Sequence, residues 1–334
     1  MARLIKRRDL LRCGFGGLAA IGGGSMALPS ATSAEGEGPV RLIVPFSPGG
    51  ATDVVGRLWA DRMRSVLGTV VVENHGGGGG VIGAEDVARA RPDGHTFLFG
   101  NTSTQVILPA VMTPPPYDPL KDFSSIYILC MAPNSIVVHE SVPVHTLQEL
   151  IAYAKANPGK LSYGSAGAGT ITNLTGELFK QLIGAPDIVH IPYKGSAPGV
   201  TDLASGHIPM MTPNIGGPLL AFHRAGKIRI LAITWTNRIE AAPDIPTAIE
   251  AGLPGMVAAN LNGVFAPAGL PKPLIDKLAD ATRTLMQDRS FTRPMIDSGF
   301  EPLRDSGPEQ ADRMVREEIA RWTPVIKSTG FRME

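Results

Sequence analysis

The chain has 334 residues, of which 43% are hydrophobic and 18% charged, so it is long enough for two domains with separate cores. Its formal net charge of +1 argues against a dedicated nucleic-acid-binding protein, which would carry an excess of basic residues. The two cysteines, Cys13 and Cys130, exclude a framework of several disulfides.

Residues 1–34 have the pattern of an export signal. Basic residues up to Arg12 precede an apolar, uncharged stretch at 14–28, and small residues follow up to Ala34. The stretch is shorter than the ~20 apolar residues that a membrane span requires. The arginine pair at positions 7 and 8 resembles a twin-arginine signal, with an ordinary secretory signal as the alternative. We therefore predict a signal peptide over 1–34, cleaved near Ala34, and export out of the cytoplasm.

The following segments alternate between strands and helices. Short apolar runs predict strands at 40–44, 70–72 and 96–99, and helical spacing of apolar residues predicts helices at 53–66 and 84–91. The pattern restarts with strands at 161–163, 188–191, 208–211 and 228–234, helices at 173–183, 199–204 and 219–225, and a strand at 264–266. The tail at 273–327 is mostly helical, with a break at 299–308. This order predicts an α/β fold with mostly parallel sheets and a second lobe inserted into the first.

Hydroxyl, amide and glycine residues follow the predicted strands, at the edge where open α/β sheets bind ligands. Besides glycine, these loops carry Ser47, Thr52, Thr102, Ser103, Ser165, Thr170, Asn173 and Asn214. Lys194 is the main charged residue among them. Backbone amides, hydroxyls and helix N-termini can hold a carboxylate, but they supply no general base or nucleophile. The loops therefore favour binding over catalysis, and we expect no cofactor.

Two patterns that resemble enzyme motifs give weaker evidence of function than these loops do. The glycines at 78–83 match a dinucleotide fingerprint, but the acidic residue expected ~20 positions later is absent. Ser165 stands in a partial nucleophile-elbow pattern, and a hydrolase triad would need Asp202 with His207 or His223. An exported serine hydrolase is therefore the least favoured alternative. The seven histidines have no spacing typical of a metal site.

An ordered set of motifs resembles one family. PFSPGGATD at 45–53 is followed by ENHGGGGGVIG at 73–83, PDGHT at 92–96, GSAGAGT at 164–170, PYKG at 192–195, PDIPT at 243–247 with EAG at 250–252, and APAG at 266–269. The set is similar to the motifs of the Bug family, the periplasmic solute-binding proteins of tripartite tricarboxylate transporters. The matches cover most of the chain after the predicted signal peptide.

The resemblance implies a two-lobed Venus-flytrap fold, with lobe 1 at 35–138 and 265–334 and lobe 2 at 139–264. It implies a small carboxylated solute held between the lobes, a two-component integral membrane permease as partner, and a monomer without enzymatic activity. A ligand-binding accessory of a membrane sensor is the alternative role.

Carried over by position, the resemblance implies ligand contacts from both lobes. From the first lobe they are Phe46, Gly50, Thr52, Asp53, Gly79, Gly80 and Thr102, and from the second Ser165, Thr170, Asn173, Lys194 and Asn214. Asp53 could instead cap its helix, and Lys194 could instead be solvated.

The sequence departs from the family pattern at His75, Gly76, Gly78, Pro213 and Leu261. We expect Gly78, Pro213 and Leu261 to lie in or near the cleft, and these three departures lead us to expect a ligand other than a standard dicarboxylate.

Overall fold

Two β-sheets with helices on their faces organise the protein. The computed structural model describes residues 38–333, so the predicted signal peptide lies outside the described residues. The strands are β1 Val40–Val44, β2 Val70–Asn74, β3 Thr96–Asn101, β4 Phe123–Pro133, β5 Ser135–His139, β6 Ser162–Ser165, β7 Val189–Pro192, β8 Met210–Met211, β9 Ile228–Ile233, β10 Ala259–Pro267 and β11 Glu301–Pro302. The helices are α1 Ala51–Arg62, α2 Arg64–Leu67, α3 Val81–Ala88, α4 Leu108–Val111, α5 Leu147–Ala156, α6 Ile171–Ile183, α7 Ser196–Ala204, α8 Gly217–Arg224, α9 Lys272–Gln287, α10 Arg289–Asp297 and α11 Pro308–Thr329.

The first sheet has the strand order β11-β4-β10-β3-β1-β2 and the second β7-β6-β8-β5-β9. The α/β fold is confirmed, but both sheets are mixed, which corrects the prediction of mostly parallel sheets. Strands β1, β2 and β3 pair in parallel, as do β6, β7 and β8, whereas β10 runs antiparallel to β3 and β4, and β5 antiparallel to β8 and β9. Strands β5 and β10 each directly follow a crossing between the sheets, and each runs opposite to the parallel strands of the sheet that it enters.

The chain crosses between the sheets at Asn134 and again between β9 and β10. The two crossings are hydrogen-bonded to each other: the Asn134 amide donates to the Ala258 carbonyl at 3.1 Å, and the Thr234 amide donates to the Asn134 carbonyl at 2.9 Å. Both crossings lie a few residues before the predicted boundaries at 138/139 and 264/265. We propose that they divide the two lobes and form the hinge.

Each sheet has its own apolar core. Trp59, Phe97 and Phe291 pack against the first sheet, while Tyr163 and Phe179 pack against the second. A further apolar cluster joins elements of both sheets. In it, Ile107 and Val111 pack with Ile171 and Leu174 of α6 and with Trp322 of α11. Within residues 38–333, none of the helices has the length and apolar character to cross a bilayer.

Local predictions succeeded where the periodicity was clear. The helix predicted at 173–183 is α6, and the break predicted at 299–308 contains β11 and the turn before α11. The sequence analysis missed β4, β5 and α5. Nearly all of β4 and β5 is buried on both faces, so their apolar runs lack the alternation of a half-exposed strand.

Candidate functional site

Three helix N-termini meet between the sheets. Helix α1 follows Gly50, α6 follows Thr170 and α7 follows Gly195, and the N-caps of α1 and α7 have no side-chain capping hydrogen bond. The cavity between them, the inner pocket, has a volume of about 20 Å³. It is lined by Phe46, Gly50, Thr52, Asn101, Ser103, Ala166, Thr170, Ile171, Thr172, Ser196, Asn214 and Asn260. Its lining side chains are uncharged, so the positive ends of the helix dipoles are its main electrostatic feature.

A larger cavity lies next to the inner pocket and shares Phe46 and Ala166 with it. This outer chamber has a volume of about 250 Å³. Its other lining residues are Gly77, Gly78, Gly79, Gly80, Gly167, Ala168, Pro192, Tyr193, Lys194 and Met333. Most of these are glycine or apolar residues, and Lys194 is the charged member of the described lining.

The glycine loop before α3 closely approaches the opposite lobe. Gly79 has a φ of 70°, and a Cβ there would collide with the Ala168 carbonyl oxygen. Gly80 has a φ of 109°, and a Cβ there would lie 3.0 Å from the Phe46 ring. Both conformation and space therefore require glycine at these positions. Gly79 and Gly80 both line the outer chamber, as their predicted role requires.

Asp53 does not line either cavity. Its carboxylate accepts hydrogen bonds from the Gly49 amide at 2.9 Å, from Arg57 Nε at 3.0 Å and from Asn74 Nδ2 at 2.7 Å. Asn74 Nδ2 also donates to the Phe46 carbonyl at 2.9 Å. Burial opposes ionisation of Asp53, but the hydrogen bonds from Arg57, Gly49 and Asn74 outweigh it and lower the pKa of the carboxyl. Asp53 therefore braces the loop that presents Phe46 and Gly50.

Thr52 and Thr102 have different positions relative to the cleft. Thr52 lines the inner pocket, where its hydroxyl donates to Asn262 Oδ1 at 3.0 Å and accepts from Asn101 Nδ2 at 3.0 Å. Thr102 is buried outside both linings, and its hydroxyl accepts from the Leu261 amide at 2.8 Å. The structure thus places Thr52, but not Thr102, at the cleft.

The loop before α6 is held by neutral polar groups. Thr170 lines the inner pocket and caps α6, since its hydroxyl accepts from the Asn173 amide at 3.2 Å and donates to the Gly167 carbonyl at 2.6 Å. Asn173 lies behind the loop, where Oδ1 accepts from the Gly169 amide at 3.1 Å and Nδ2 donates to the Tyr163 hydroxyl at 2.7 Å. Thr170 is therefore placed at the cleft, and Asn173 supports it from outside the linings.

Ser165 is buried outside both linings. Its hydroxyl donates to the Gly167 carbonyl at 3.0 Å and lies 2.7 Å from His190 Nε2. The His190 ring stacks on Tyr163 with centroids 4.9 Å apart, and burial lowers the pKa of His190 to about 4.

The hydrolase hypothesis named different partners for Ser165. Asp202 contacts Tyr193 and His207, and His223 contacts the Ile228 carbonyl, so the structure does not assemble the triad predicted for Ser165. The histidine that does contact Ser165 is His190, and the fully buried hydroxyl is not open to a substrate. The packing therefore gives Ser165 a supporting position in its loop.

Lys194 and Asn214 both reach the cleft. Lys194 is exposed, lines the outer chamber, and lies within salt-bridge distance of no acidic side chain among residues 38–333. Asn214 lines the inner pocket and donates to Asn134 Oδ1, while its own Oδ1 accepts from Asn260 Nδ2 at 3.4 Å. Asn214 is thereby linked to Asn134, where the chain crosses between the sheets, and to β10 of the first sheet.

Several lining residues were absent from the set of ligand contacts carried over by position. Asn101 and Ser103 flank the predicted Thr102, and Thr172 follows the predicted Thr170, so the loop motifs indicated their positions but not which neighbour faces the cleft. Asn260 and Met333 lie on segments that had no motif.

Of the departures from the family pattern, Gly78 lines the outer chamber, whereas Leu261 is buried in an apolar cluster. The described residues contain no cluster of metal-ligating side chains.

Comparisons with known proteins agree on one family. A family model described as "Tripartite tricarboxylate transporter family receptor" matches residues 55–331. The protein BugT of Bordetella pertussis is 34% identical over 299 residues, covering 89% of this chain and 90% of BugT. The solved periplasmic binding protein BugD is 34% identical, with a TM-score of 0.83 and coverage of 89% of this chain and 99% of BugD.

Two similar structures contain bound acids. Rpa4515 of R. palustris, solved with adipate, is 36% identical with a TM-score of 0.83, covering 88% of this chain and 98% of that protein. MatC of Rhodopseudomonas palustris, solved with bound malate, is 32% identical with a TM-score of 0.82, covering 86% of this chain and 98% of MatC.

Proposed function

This chain belongs to the family of tripartite tricarboxylate transporter receptors, and on that premise we propose that it captures a small organic acid between its lobes and delivers it to a two-component membrane permease. We propose that it does so in the periplasm, after export, and without chemical conversion of the acid. The relatives described as periplasmic binding proteins and the acids bound by Rpa4515 and MatC support this assignment.

The convergence of three helix N-termini on the inner pocket is the observation that carries the proposal. Helix α1 comes from the first sheet, and α6 and α7 come from the second, so both lobes direct backbone N–H groups at the same small volume. Such an arrangement binds an anionic group without a buried counter-charge. Thr52 and Asn214 line the same volume as neutral polar residues, and the Thr52 hydroxyl proton is held by Asn262.

The small size of the inner pocket fits one end of an acid. Its volume of about 20 Å³ is close to the space that a single water molecule requires. One carboxylate oxygen fits such a space, whereas the rest of the acid must extend past Phe46 and Ala166 into the outer chamber. Lys194 faces that chamber and offers a positive charge to a second acidic group.

Capture requires the lobes to separate and close. Across the cleft, the Ile171 amide donates to Ser103 Oγ at 3.0 Å, and Gly79 meets the Ala168 carbonyl. The two hydrogen-bonded crossings at Asn134 and Thr234 are narrow enough for a hinge. An acid that contacts both lobes binds the closed form more tightly, so it shifts the population toward closure.

Binding is tested by native mass spectrometry of the purified protein and by thermal-shift titration against succinate, adipate, malate, citrate, aspartate and benzoate. An acid at 100 times its Kd should stabilise the protein by about 2.7 kcal/mol, which gives a clear rise in Tm. A selective rise with one class of acid is the expected result. An unchanged Tm across the panel, with no co-purified acid in the mass spectrum, would contradict acid capture.

Closure and transport need separate measurements. Small-angle scattering with and without the selected acid should show a smaller radius of gyration when the acid is bound. Identical scattering profiles at saturating acid would contradict closure. Uptake of the labelled acid into cells that carry a candidate permease, with and without this protein, tests delivery.

A further inference from the structure

The segment after α11 returns to the cleft. Gly330, with a φ of 66°, ends the helix, and the chain then runs through Phe331 to Met333. The Met333 amide donates to the Val111 carbonyl at 2.9 Å, and Met333 forms a parallel β-bridge with Met112. The backbone of this segment is therefore fixed to the end of α4, on the side of the first sheet.

The Met333 side chain reaches across to the second lobe. A Cβ at Gly169 would collide with the Met333 sulfur, so the thioether occupies the space that glycine leaves open at this position. Gly169 directly precedes Thr170, the N-cap of α6 and a lining residue of the inner pocket. Phe331 and Met333 also pack on the apolar cluster that joins α4, α6 and α11. One side chain thus contacts the loops of both lobes beside the cleft.

Met333 also lines the outer chamber, where it faces the glycine loop and the loop around Gly167. The other apolar lining groups are small or rigid, whereas methionine has a long side chain with several rotatable bonds. It can therefore fill more or less of the chamber as its rotamer changes. The family model ends at residue 331, so Met333 lies outside the residues that it matches.

We propose that Met333 determines the length of the acid that the outer chamber admits. The inference rests on the proposed function, because it assumes that the carboxylate reaches into the inner pocket with one oxygen and that the carbon skeleton lies in the chamber. Met333 then forms a part of the chamber wall that faces the carbon skeleton of the acid. A shorter side chain at this position should admit a longer acid, and a larger side chain should exclude it.

Calorimetric titration with succinate, adipate and suberate tests this, because these diacids differ only in their number of methylene groups. In Met333→Ala the affinity for suberate relative to succinate should rise by about fifteenfold, because the shorter side chain leaves room for about two more methylenes and each buried methylene contributes roughly fourfold. In Met333→Trp the same ratio should fall, with suberate losing affinity first. Met333→Leu, which keeps a similar volume, should retain the wild-type ratio.

Met314→Ala is the matched control. Met314 is also partly buried and lies on α11, but it packs in a different apolar cluster and does not line the chamber. Its replacement should leave the ratio unchanged. If Met333→Ala and Met333→Trp keep the wild-type ratio, or if Met314→Ala shifts it equally, the size role is overturned while acid binding stands. If the wild type binds none of the diacids and none of the wider panel, the proposed function fails, and the inference fails with it.

Discussion

The loop before α1 is held by charged groups, whereas the loop before α6 is held by hydroxyl and amide groups. In the first loop the Asp53 carboxylate joins Gly49, Arg57 and Asn74. In the second, Ser165, Thr170 and Asn173 hold the turn through neutral hydrogen bonds.

Apart from Thr170, which lines the inner pocket, the side chains of both networks lie behind the cleft and leave glycine backbone and a few hydroxyls at its surface. The comparison shows that most polar side chains of these motifs stabilise the loops. The helix N-termini that the loops position then face the inner pocket. This division of roles predicts different responses to mutation and to pH in the two loops.

Removing the charge from the first loop should have the largest effect. In Asp53→Asn the Arg57 guanidinium loses its buried partner, and we expect a loss of about 2–3 kcal/mol in the free energy of unfolding. The Arg57 side chain is 48% exposed, which lets water compensate part of the loss. Acid affinity should fall as well, because Phe46 and Gly50 lose their support. Chemical denaturation and titration of the variant measure both effects.

The pH dependence of the free energy of unfolding tests the role of Asp53 independently. The pKa of Asp53 is lowered in the folded protein, so its contribution is present above the unfolded pKa of about 4 and is lost as pH falls through the lower folded value. The wild type should therefore lose stability below about pH 4 more steeply than Asp53→Asn. Asp61→Asn, at an exposed position of the same helix, is the control and should cost less than about 0.5 kcal/mol. Equal acid sensitivity of the wild type and Asp53→Asn would contradict the charged brace.

The second loop should respond to pH through His190. Burial lowers the pKa of His190 to about 4, below its ordinary value of about 6.5, so the unfolded chain binds this proton more readily than the folded chain. Its contribution is present above about pH 6.5 and is lost as pH falls toward about 4. At pH 5 the loss should be about 1–2 kcal/mol relative to pH 8.

His190→Gln can keep a hydrogen bond to Ser165 but has no proton to gain in this range. Melting temperatures from pH 8 to pH 5 should therefore fall less in His190→Gln than in the wild type. His145→Gln, at an exposed histidine, should follow the wild-type curve. Parallel curves for the wild type and His190→Gln would show that His190 does not couple to the stability of this loop.

The sequence predicted the two-lobed α/β fold because each strand–loop–helix unit has a local apolar period. It could not predict the mixed sheets, since the directions of β5 and β10 depend on where the chain crosses between the sheets. Motif positions predicted which loops form the cleft. They could not predict that Thr52 faces the inner pocket while Asp53 and Thr102 are turned into loop and sheet hydrogen bonds. Whether the lining residues contact the acid stays a prediction.

Residues remote in sequence were the hardest to predict. Met333 and Asn260 reach the cleft only through the packing of α11 and the register of β10, and neither stands in a motif. The contact of Ser165 with His190 arises because β6 and β7 are parallel neighbours, with Ser165 paired to Pro192 two positions beyond His190. No local pattern around Ser165 carries that information.

Lys194 belongs to neither network, so its replacement should have the smallest effect on stability and a selective effect on binding. Its ammonium faces the outer chamber and is exposed to water, which limits an ion pair with the acid to about 1 kcal/mol or less. In Lys194→Met the affinity for adipate should therefore fall by up to about fivefold, while hexanoate, which lacks the second carboxylate, should change little. Tm without ligand should stay the same.

Salt and a matched variant distinguish a charge contact from a change in shape. The adipate preference over hexanoate should weaken in the wild type between low salt and about 0.5 M salt, because exposed charges are screened. Lys160→Met, at an exposed lysine outside both cavity linings, should keep the wild-type preference. If Lys194→Met weakens adipate and hexanoate equally, Lys194 contributes to the wall of the chamber and not to charge recognition. The ligand's anionic end would then be recognised by the helix N-termini of the inner pocket alone.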